Sequence, residues 1–302
     1  MSLRIAITGA TGLVGSKLIP FLISKHHQVT QITRRKSLDG NQTSVIVWDP
    51  DTQQLDAAQM EGFDVIIHLA GTNVGERWDE KYKKSILDSR IKGTRLLCQR
   101  LSALKQKPKV LLSASAVGFY GNHPPKVILD ETSPKGRGFL PDVCQQWEEE
   151  TKGAAKAGIR VVNMRMGVVL SKSGGALAKM WVPFQLGLGG ILGSGEQMMS
   201  WIALDEIPLI VEYLIQNENI SGPINVVSPN TVSNKEFTKT LGQVIKRPVI
   251  FPMPDLAVRA LFGEMGQNLL LEGSHVLPKR LQEHGYCFHY ADLKKALEKT
   301  VI

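Results

Sequence analysis

Short apolar segments alternate with amphipathic ones through the first half of the chain, at the spacing of strands separated by helices. Near-continuous apolar character is typical of parallel strands that are covered on both faces. The predicted strands are Leu3–Ile7, Val29–Thr33, Ser44–Trp48, Asp64–Leu69, Lys109–Ser113 and Arg160–Met164. Helices are predicted between them, one of them around Trp147 to Ala157. This order predicts an α/β fold with a doubly wound, Rossmann-type parallel sheet.

The pattern changes after Arg165. Glycine-rich segments come first, and an apolar helix, Ile207–Ile215, and a strand, Pro223–Val227, follow. We therefore predict a nucleotide-binding domain over residues 1–165, to which residues 203–227 return. Residues 166–302 are predicted to form a smaller C-terminal substrate lobe. Since ligands of open α/β sheets lie at the carboxyl ends of the strands, this lobe is expected to cover that edge.

Three evenly spaced glycines follow the first strand and open the first helix. A strand that turns on glycine into a helix points free backbone N–H groups and a positive dipole end at one spot, which suits a pyrophosphate. The alternative is that the glycines serve close packing alone, since many strand-to-helix turns use glycine for that reason. The predicted cofactor contacts in this turn are Gly9, Thr11, Gly12, Leu13, Val14 and Gly15.

The end of the second strand indicates which nicotinamide cofactor fits. Proteins that use NAD place an acidic residue there, whereas this chain has Thr33, Arg34 and Arg35. A guanidinium pairs well with a 2′-phosphate, so the sequence favours NADP(H) over NAD(H). The alternative is a basic surface turn.

Two further strand ends are predicted to contact the cofactor. Asp49, after the third strand, is placed to bind the adenine amino group. The backbone of Leu69, Ala70 and Gly71, after the fourth strand, is expected to pass close to the central phosphates and ribose.

Composition excludes several classes of protein. Of the 302 residues, 43% are hydrophobic and 21% are charged, which is ordinary for a soluble globular protein. The net charge of +8 favours acidic ligands, but the basic residues are scattered and no nucleic-acid-binding module is recognisable. The cysteines Cys98, Cys144 and Cys287 fit neither a disulfide framework nor a metal site. We therefore predict a cytoplasmic protein that binds no metal, membrane or nucleic acid.

Several motifs together resemble the extended short-chain dehydrogenase/reductase group, the NAD-dependent epimerase/dehydratase-like proteins. Within that group the chain is similar to the atypical branch called "epimerase family protein", essentially from end to end. A C-terminal module over residues 248–302 is special to this branch. The segments that carry the resemblance are Thr8–Gly15, His68–Gly71, Arg77-Trp78, Ser89-Arg90, Ser113–Gly121, Gly193–Gln197, Trp201-Ile202 and Val276–Leu281.

The resemblance implies hydride chemistry on a sugar-like or other carbonyl or hydroxyl substrate, and dimers are common among such proteins. In the broader group a Tyr, whose pKa is lowered by a Lys four residues on, moves the proton, and a Ser or Thr holds the reacting oxygen. Ser115 falls at the serine position. The alignment places Leu140 or Pro141 at the tyrosine position and Cys144 or Gln145 at the lysine position, and neither pair can transfer the proton.

Other residues are candidates for the missing roles. Tyr120 follows the fifth strand and is a candidate acid or base, the alternative being a packed aromatic. Arg90 stands where the group commonly has Asn, and it is predicted to contact cofactor phosphate or an acidic substrate, the alternative being a surface role. Cys144 is better interpreted as an inert core thiol.

A last set of residues is placed on the substrate side by the resemblance. Trp and Arg side chains can stack on a ring and clamp an anion, and they can equally anchor one lobe against the other. His68 is interpreted as a satisfied core histidine, and Glu131 as a carboxylate that holds a loop. The candidate substrate residues are Asn73, Arg77, Trp78, Gln197 and Trp201.

The sequence therefore predicts an NADP(H)-binding epimerase or oxidoreductase with a small-molecule site between its lobes. The competing hypothesis is an NADP(H)-binding sensor or partner-binding protein that has lost catalysis.

Overall fold

An eight-stranded sheet forms the centre of the molecule, in a computed structural model that describes residues 2–34 and 44–301. The strands are β1 Arg4–Thr8, β2 Gln28–Thr33, β3 Ser44–Asp49, β4 Gln54–Leu55, β5 Val65–His68, β6 Val110–Ala116, β7 Ile128–Leu129, β8 Arg160–Met166, β9 Val168–Leu170, β10 Met198–Met199, β11 Trp201–Ala203, β12 Gly222–Val226, β13 Val232–Ser233 and β14 His275–Val276. The helices are α1 Leu13–Ser24, α2 Glu80–Ser102, α3 Phe139–Glu149, α4 Lys152–Lys156, α5 Gly175–Gln185, α6 Glu206–Gln216, α7 Asn234–Val244, α8 Asp255–Gly266, α9 Lys279–Glu283 and α10 Leu293–Val301.

The strand order in this sheet is β12-β8-β6-β5-β1-β2-β3-β4. All neighbours run parallel except β4, which pairs antiparallel with β3. The order reverses at β1, which pairs with β2 on one side and β5 on the other. The predicted α/β fold with a doubly wound parallel sheet is confirmed.

Alternate residues of the sheet enter two separate cores, one on each face. Ile5 and Ile7 of β1 pack with α1 and α6. Ala6, between them, packs with Ile66 and Leu97 against α2. Both faces are therefore covered, which explains the near-continuous apolar strands of the sequence.

Residues 203–227 contribute to the same sheet. β12 lies beside β8, with Ile224 opposite Met164. α6 packs with α1 in one core, where Ile210 and Leu214 are fully buried.

The helix predicted around Trp147 to Ala157 differs in its bounds. α3 begins at Phe139 and ends at Glu149, and the separate helix α4 starts at Lys152. The Thr151 hydroxyl, at this break, donates to the Glu148 carbonyl at 2.7 Å. A hydroxyl that bonds back to the backbone competes with a continuous helix, which accounts for the break.

The smaller lobe has its own core. Trp201, Phe237 and Leu241 are fully buried there, and Leu297 from α10 closes it. Three two-stranded ladders accompany it: β9 with β11, β10 with β13 and β7 with β14. The last of these joins the C-terminal part of the chain to the loop that follows β6.

Candidate functional site

The glycine turn after β1 has two tightly packed glycines and one open glycine. Gly9 adopts a φ of +70°, and a Cβ there would lie 2.7 Å from the Leu69 carbonyl carbon. A Cβ on Gly15 would lie 2.3 Å from the Gly9 oxygen. Gly12 is different, because a Cβ there would meet only the Gly9 oxygen, at 3.2 Å. Gly9 and Gly15 are therefore closely packed within the turn, whereas Gly12 is exposed and has one close neighbour, the Gly9 oxygen.

The helix α1 starts directly after this open glycine. No side chain of the described residues caps its start at Gly12, so its first backbone N–H groups and its positive dipole end are left for a ligand. Thr11 is exposed, and Leu13 and Val14 are half-buried beside it. Leu13 also lies against the start of α5 at Gly174, so this turn reaches the second lobe.

The ends of β2 and β3 lie side by side at the same edge. Thr33 is the last residue of β2, and Arg34 follows it with an exposed side chain. The pKa of Asp49, the last residue of β3, is lowered, mainly by the backbone N–H of Asp51 that it accepts and in smaller part by the charge of Arg34. Arg35 lies outside the described residues.

A buried histidine braces the loop after β5. The Thr8 hydroxyl oxygen accepts the N–H groups of Leu69 and Ala70 at 3.1 and 3.2 Å, and it lies 2.7 Å from Nδ1 of His68. Nε2 of His68 lies 2.9 Å from the Thr94 hydroxyl. Burial lowers the pKa of His68 to about 4, so the ring is neutral. The interpretation of His68 as a satisfied core histidine is confirmed.

Arg90 lies next to the same loop. Its guanidinium donates to the carbonyls of Thr72 and Ile86, both at 3.0 Å, and stacks over the Trp147 ring at 4.9 Å. A Cβ on Gly71 would be 3.4 Å from its central carbon. Burial lowers its pKa, and no carboxylate among residues 2–34 and 44–301 forms an ion pair with it. A half-buried cation with this neighbourhood suits an anionic ligand.

Ser115 does not face the space between the lobes. Its side chain is 2% exposed, and its hydroxyl donates to Oε1 of Glu148 at 2.7 Å. That carboxylate forms a two-pronged ion pair with Arg165, at 2.8 Å for both contacts. Side chains alternate along a strand, so Ser115 points under α3 while its neighbour Ala116, which has no hydroxyl, faces the other way. The predicted contact between Ser115 and a substrate oxygen is not what this geometry provides.

The hydroxyl of Tyr120 is also engaged in hydrogen bonds within the protein. The residue has no exposed surface; its hydroxyl donates to Oδ1 of Asn225 at 2.7 Å and accepts from Arg165 at 3.0 Å. Burial raises its pKa to about 12. Of the two interpretations of Tyr120, the geometry favours the packed aromatic over the acid or base.

The four positions aligned with the tyrosine and lysine of the larger group lie on α3. Leu140 and Pro141 line a cavity between the lobes, whereas Gln145 lies away from it along a groove at the edge of the sheet. Cys144 is buried, and burial raises the pKa of its thiol to about 12. The thiol is therefore inert at neutral pH, as interpreted from the sequence.

The cavity between the lobes has a volume of about 190 Å³. It lies where the end of β6, the start of α3 and the C-terminal part of the chain meet. Apolar side chains that line it include Val117, Leu140, Met180, Met198, Met199 and Leu270. Gln197 also lines it, and its Nε2 donates to the carbonyls of Leu192 and Leu270.

A wider groove of about 810 Å³ begins at the first residues of β8 and β12, including Arg160 and Gly222, and continues along β8 to Arg165. Ligands of open α/β sheets bind at the carboxyl ends of the strands. The smaller cavity, and not this groove, therefore has the position of a substrate site.

The remaining substrate candidates do not converge on the cavity. Trp201 is fully buried, and its Nε1 donates to the Asn230 carbonyl at 2.8 Å. Trp78 is 7% exposed, and its Nε1 donates to the Val74 carbonyl at 2.8 Å. For both rings the geometry favours the packing anchor, the second of the two interpretations, and a contact with substrate stays a prediction. A tryptophan whose N–H is already bonded to a carbonyl is fully satisfied in a core.

The two polar candidates of the same set lie outside the cavity. Asn73 accepts the Gly75 N–H with its side-chain oxygen and so stabilises a local turn. The side chain of Arg77 is exposed beside Gly263. Of the five predicted substrate residues, Gln197 alone lines the cavity.

Sequence reasoning missed three charged residues near the site. Glu148 and Arg165 form the buried pair described above, and Arg137 lines the cavity. A sequence signal existed for Arg165, since an arginine inside an apolar strand requires a buried partner. Glu131, in contrast, was interpreted correctly: its carboxylate accepts the N–H groups of Asn225 and Arg280 and holds the loop.

The described part of the chain has neither a membrane-spanning helix nor a metal-binding cluster. No helix there is long and apolar enough to cross a membrane. No group of three or more His, Cys, Asp or Glu side chains there is arranged to hold a metal ion.

Sequence comparison identifies relatives along the whole chain. Residues 5–227 match the NAD dependent epimerase/dehydratase family, and residues 253–300 match a domain of unknown function, DUF1731. An epimerase family protein of Mycobacterium tuberculosis (strain CDC 1551 / Oshkosh) is 38% identical over 294 residues, which are 97% of this chain and 96% of that protein. The chloroplastic SDR39U1 homolog of Arabidopsis thaliana, also an epimerase family protein, is 38% identical over 302 residues, covering 98% of this chain and 86% of its own. Because that relative is named chloroplastic, the cytoplasmic location of the present chain stays a prediction, as does a homodimer.

Structure comparison gives the same result. The crystal structure of human epimerase family protein SDR39U1 (isoform2) with NADPH superimposes with a TM-score of 0.89 at 31% identity, over 99% of both chains. A UDP-glucose 4-epimerase of Thermus thermophilus in complex with NAD has a TM-score of 0.79 at 15% identity, over 99% of this chain and 97% of its own, which shows the fold alone. The NADPH in the human structure agrees with the cofactor predicted from the sequence. With its Rossmann sheet, its glycine turn and these matches, the chain belongs to the NAD dependent epimerase/dehydratase family and carries a C-terminal DUF1731 domain.

Proposed function

We propose that this chain binds NADP(H) and uses it in oxidoreductase or epimerase chemistry on a small molecule held between the lobes. The observation that carries the proposal is the turn at Gly12, where the start of α1 is uncapped by side chains and a Cβ would meet a single atom. A helix start of this kind suits a pyrophosphate. The NADPH bound to the human relative adds support.

Each part of the cofactor has candidate partners at this edge of the sheet. The N–H groups of the first turn of α1 suit the pyrophosphate, and exposed Arg34 suits the 2′-phosphate. Asp49, beside Arg34, suits the adenine amino group. The remaining candidates are the backbone of residues 69–71, braced by Thr8, and the guanidinium of Arg90.

Bound NADP(H) supplies or accepts a hydride. The role of the protein chain is to place the small molecule beside the bound cofactor and to exclude water. The apolar lining of the cavity is suited to both. Ser115 and Tyr120 act as positioning residues in this proposal, because their hydrogen bonds fix the end of β6 and the turn that follows.

Calorimetric titration with NADPH and NADH tests the proposal, after any co-purified nucleotide has been assessed by absorbance. In the variant Arg34→Ala/Arg35→Ala we expect NADPH affinity to fall tenfold or more, about 1.4 kcal/mol, with little change for NADH. Lys294→Ala/Lys295→Ala is the matched control, since it removes two adjacent exposed cations from α10. Equal weakening in both variants would refute the role of the arginines, and failure of both nucleotides to bind the parent protein would refute the function.

A second candidate is an NADP(H)-binding sensor without turnover. The observation in its favour is that the hydroxyls of Ser115 and Tyr120 are both engaged inside the protein. Single-turnover measurements separate the two candidates: oxidation of bound NADPH by small carbonyl compounds supports the enzyme. Tight NADPH binding without oxidation across such a set favours the sensor.

A further inference from the structure

The cavity between the lobes is small. Its volume of about 190 Å³ lies below the 300–1,000 Å³ of sites for drug-sized ligands. An apolar cavity of about 150 Å³ in another protein accepts benzene, so this one suits a ligand of roughly eight non-hydrogen atoms. A nucleotide sugar is several times larger.

The polar groups that line the cavity are largely occupied by the protein itself. The Ser200 hydroxyl donates to the Ser274 carbonyl and accepts the Val276 N–H. The Asn234 side-chain oxygen accepts the Leu192 N–H. A sugar needs partners for several hydroxyl groups, and partners already bonded elsewhere cannot be recruited without loss.

Two further polar side chains of the lining, Asn268 and Glu272, are engaged in the same way. The Nδ2 of Asn268 donates to the Glu264 carbonyl, and the Glu272 carboxylate accepts from Gln267 at 2.6 Å. Glu272 is the one carboxylate among the described residues of the lining, and it disfavours an anion close to it. An anionic group must therefore lie toward the Arg137 side.

Arg137 is the one cation among the described side chains that line the cavity. Its side chain is exposed, and within residues 2–34 and 44–301 its guanidinium has neither an ion pair nor a hydrogen bond. It precedes α3, whose first turn lines the cavity through Leu140 and Pro141 and has no side-chain cap. A guanidinium and a positive helix end at one side of an apolar space favour an anionic oxygen there.

We propose that the cavity takes a small amphipathic carboxylate, with its apolar chain among Met180, Met198 and Met199 and its carboxylate at Arg137. Methionine side chains are flexible and adapt to irregular apolar ligands. This inference rests on the proposed function, because Ala176 of the cavity follows Gly174 and Gly175, which lie against Leu13 of the glycine turn. It names the substrate class as a short-chain oxo- or hydroxyacid in place of a nucleotide sugar.

The test is a ligand-observed NMR titration of NADPH-saturated protein with hexanoate, hexan-1-ol and UDP-glucose. We expect hexanoate to bind more tightly than UDP-glucose, and its affinity to fall about tenfold or more in Arg137→Gln. Hexan-1-ol binding should be unchanged in that variant. Arg259→Gln, which removes an exposed arginine of α8 outside the cavity lining, should leave all three unchanged.

A second variant tests the cavity itself. Ala176 lines the cavity, and Ala176→Phe should abolish binding of both six-carbon probes while NADPH affinity is kept. Tighter binding of UDP-glucose, or equal hexanoate binding by Arg137→Gln and the parent protein, overturns the inference. If NADPH binds and neither six-carbon probe does, the substrate class is wrong and the proposed function stands. If NADPH itself does not bind, both the inferred substrate class and the proposed function are refuted.

Discussion

Lowering the pH from about 7.5 to about 5 is expected to reduce the free energy of unfolding by about 2 kcal/mol through His68 alone. The reason is its hydrogen-bond pattern. The Thr8 oxygen accepts two backbone N–H groups, from Leu69 and Ala70, so its own hydrogen points to Nδ1 of His68. Nε2 then carries the ring hydrogen and donates to Thr94. A proton on Nδ1 would face the Thr8 hydrogen in a fully buried site.

The magnitude follows from the two pKa values. The ordinary histidine pKa is 6.5, and burial lowers that of His68 to about 4 in the folded protein. The neutral ring is thus favoured by folding: the stabilisation is complete above pH 6.5 and is lost as the pH falls toward 4. At about pH 5 the unfolded chain holds nearly one proton at this position and the folded chain about a tenth, and integration gives about 2 kcal/mol.

Urea unfolding at both pH values measures this loss. Other groups also titrate, so the informative quantity is the difference between the parent protein and His68→Gln, which cannot take up the proton. The parent should lose about 2 kcal/mol more than this variant. His284→Gln, at an exposed histidine, is the control and should behave like the parent. Equal losses in the parent and His68→Gln would refute the assigned tautomer and the lowered pKa of His68.

Two further predictions concern the stability of the fold, one in the glycine turn and one in the buried ion pair of Glu148 and Arg165. A Cβ on Gly15 would lie 2.3 Å from the Gly9 oxygen, so Gly15→Ala should destabilise the fold by about 1–3 kcal/mol or more in thermal unfolding. Gly12→Ala should cost less than about 1 kcal/mol in stability and should weaken NADPH binding instead, and the reverse order would contradict the assignment of the turn. Glu148→Gln leaves Arg165, which is 4% exposed, without its counter-charge, and chemical denaturation should show a loss of about 3–5 kcal/mol. A loss below about 1 kcal/mol would mean that water reaches that pair.

The sheet and the cofactor edge could be predicted from the sequence because their signals are local. Apolar runs of strand length and a glycine triplet identify buried parallel strands and the first turn without any knowledge of distant contacts. His68 and Glu131 were interpreted correctly for a related reason, since a polar residue within a buried segment needs a partner. The partners themselves, Thr94 for His68 and Arg280 for Glu131, are separated from them in sequence and required the structure.

The catalytic and substrate candidates were harder because they depend on the direction of a side chain. Ser115 was placed by a motif, yet a shift of one residue along a strand moves a side chain to the opposite face. The structure turns Ser115 toward Glu148 and gives the other face to Ala116. Trp201 was placed on the substrate side by the resemblance, and its burial in the core of the smaller lobe depends on helices far away in sequence.

The cofactor edge and the cavity are built from different parts of the chain, and this division has a consequence for specificity. The glycine turn and the ends of β2 and β3 belong to the Rossmann sheet, whereas one wall of the cavity comes from the C-terminal domain through Leu270. That domain also closes the free edge of the sheet, where Arg280 donates to the carbonyls of Ser221 and Pro223. Its attachment to β12 therefore fixes the position of the cavity wall relative to the cofactor edge. Under the proposed function, sequence changes within the C-terminal domain are expected to alter which small molecule is held without altering which nucleotide is bound.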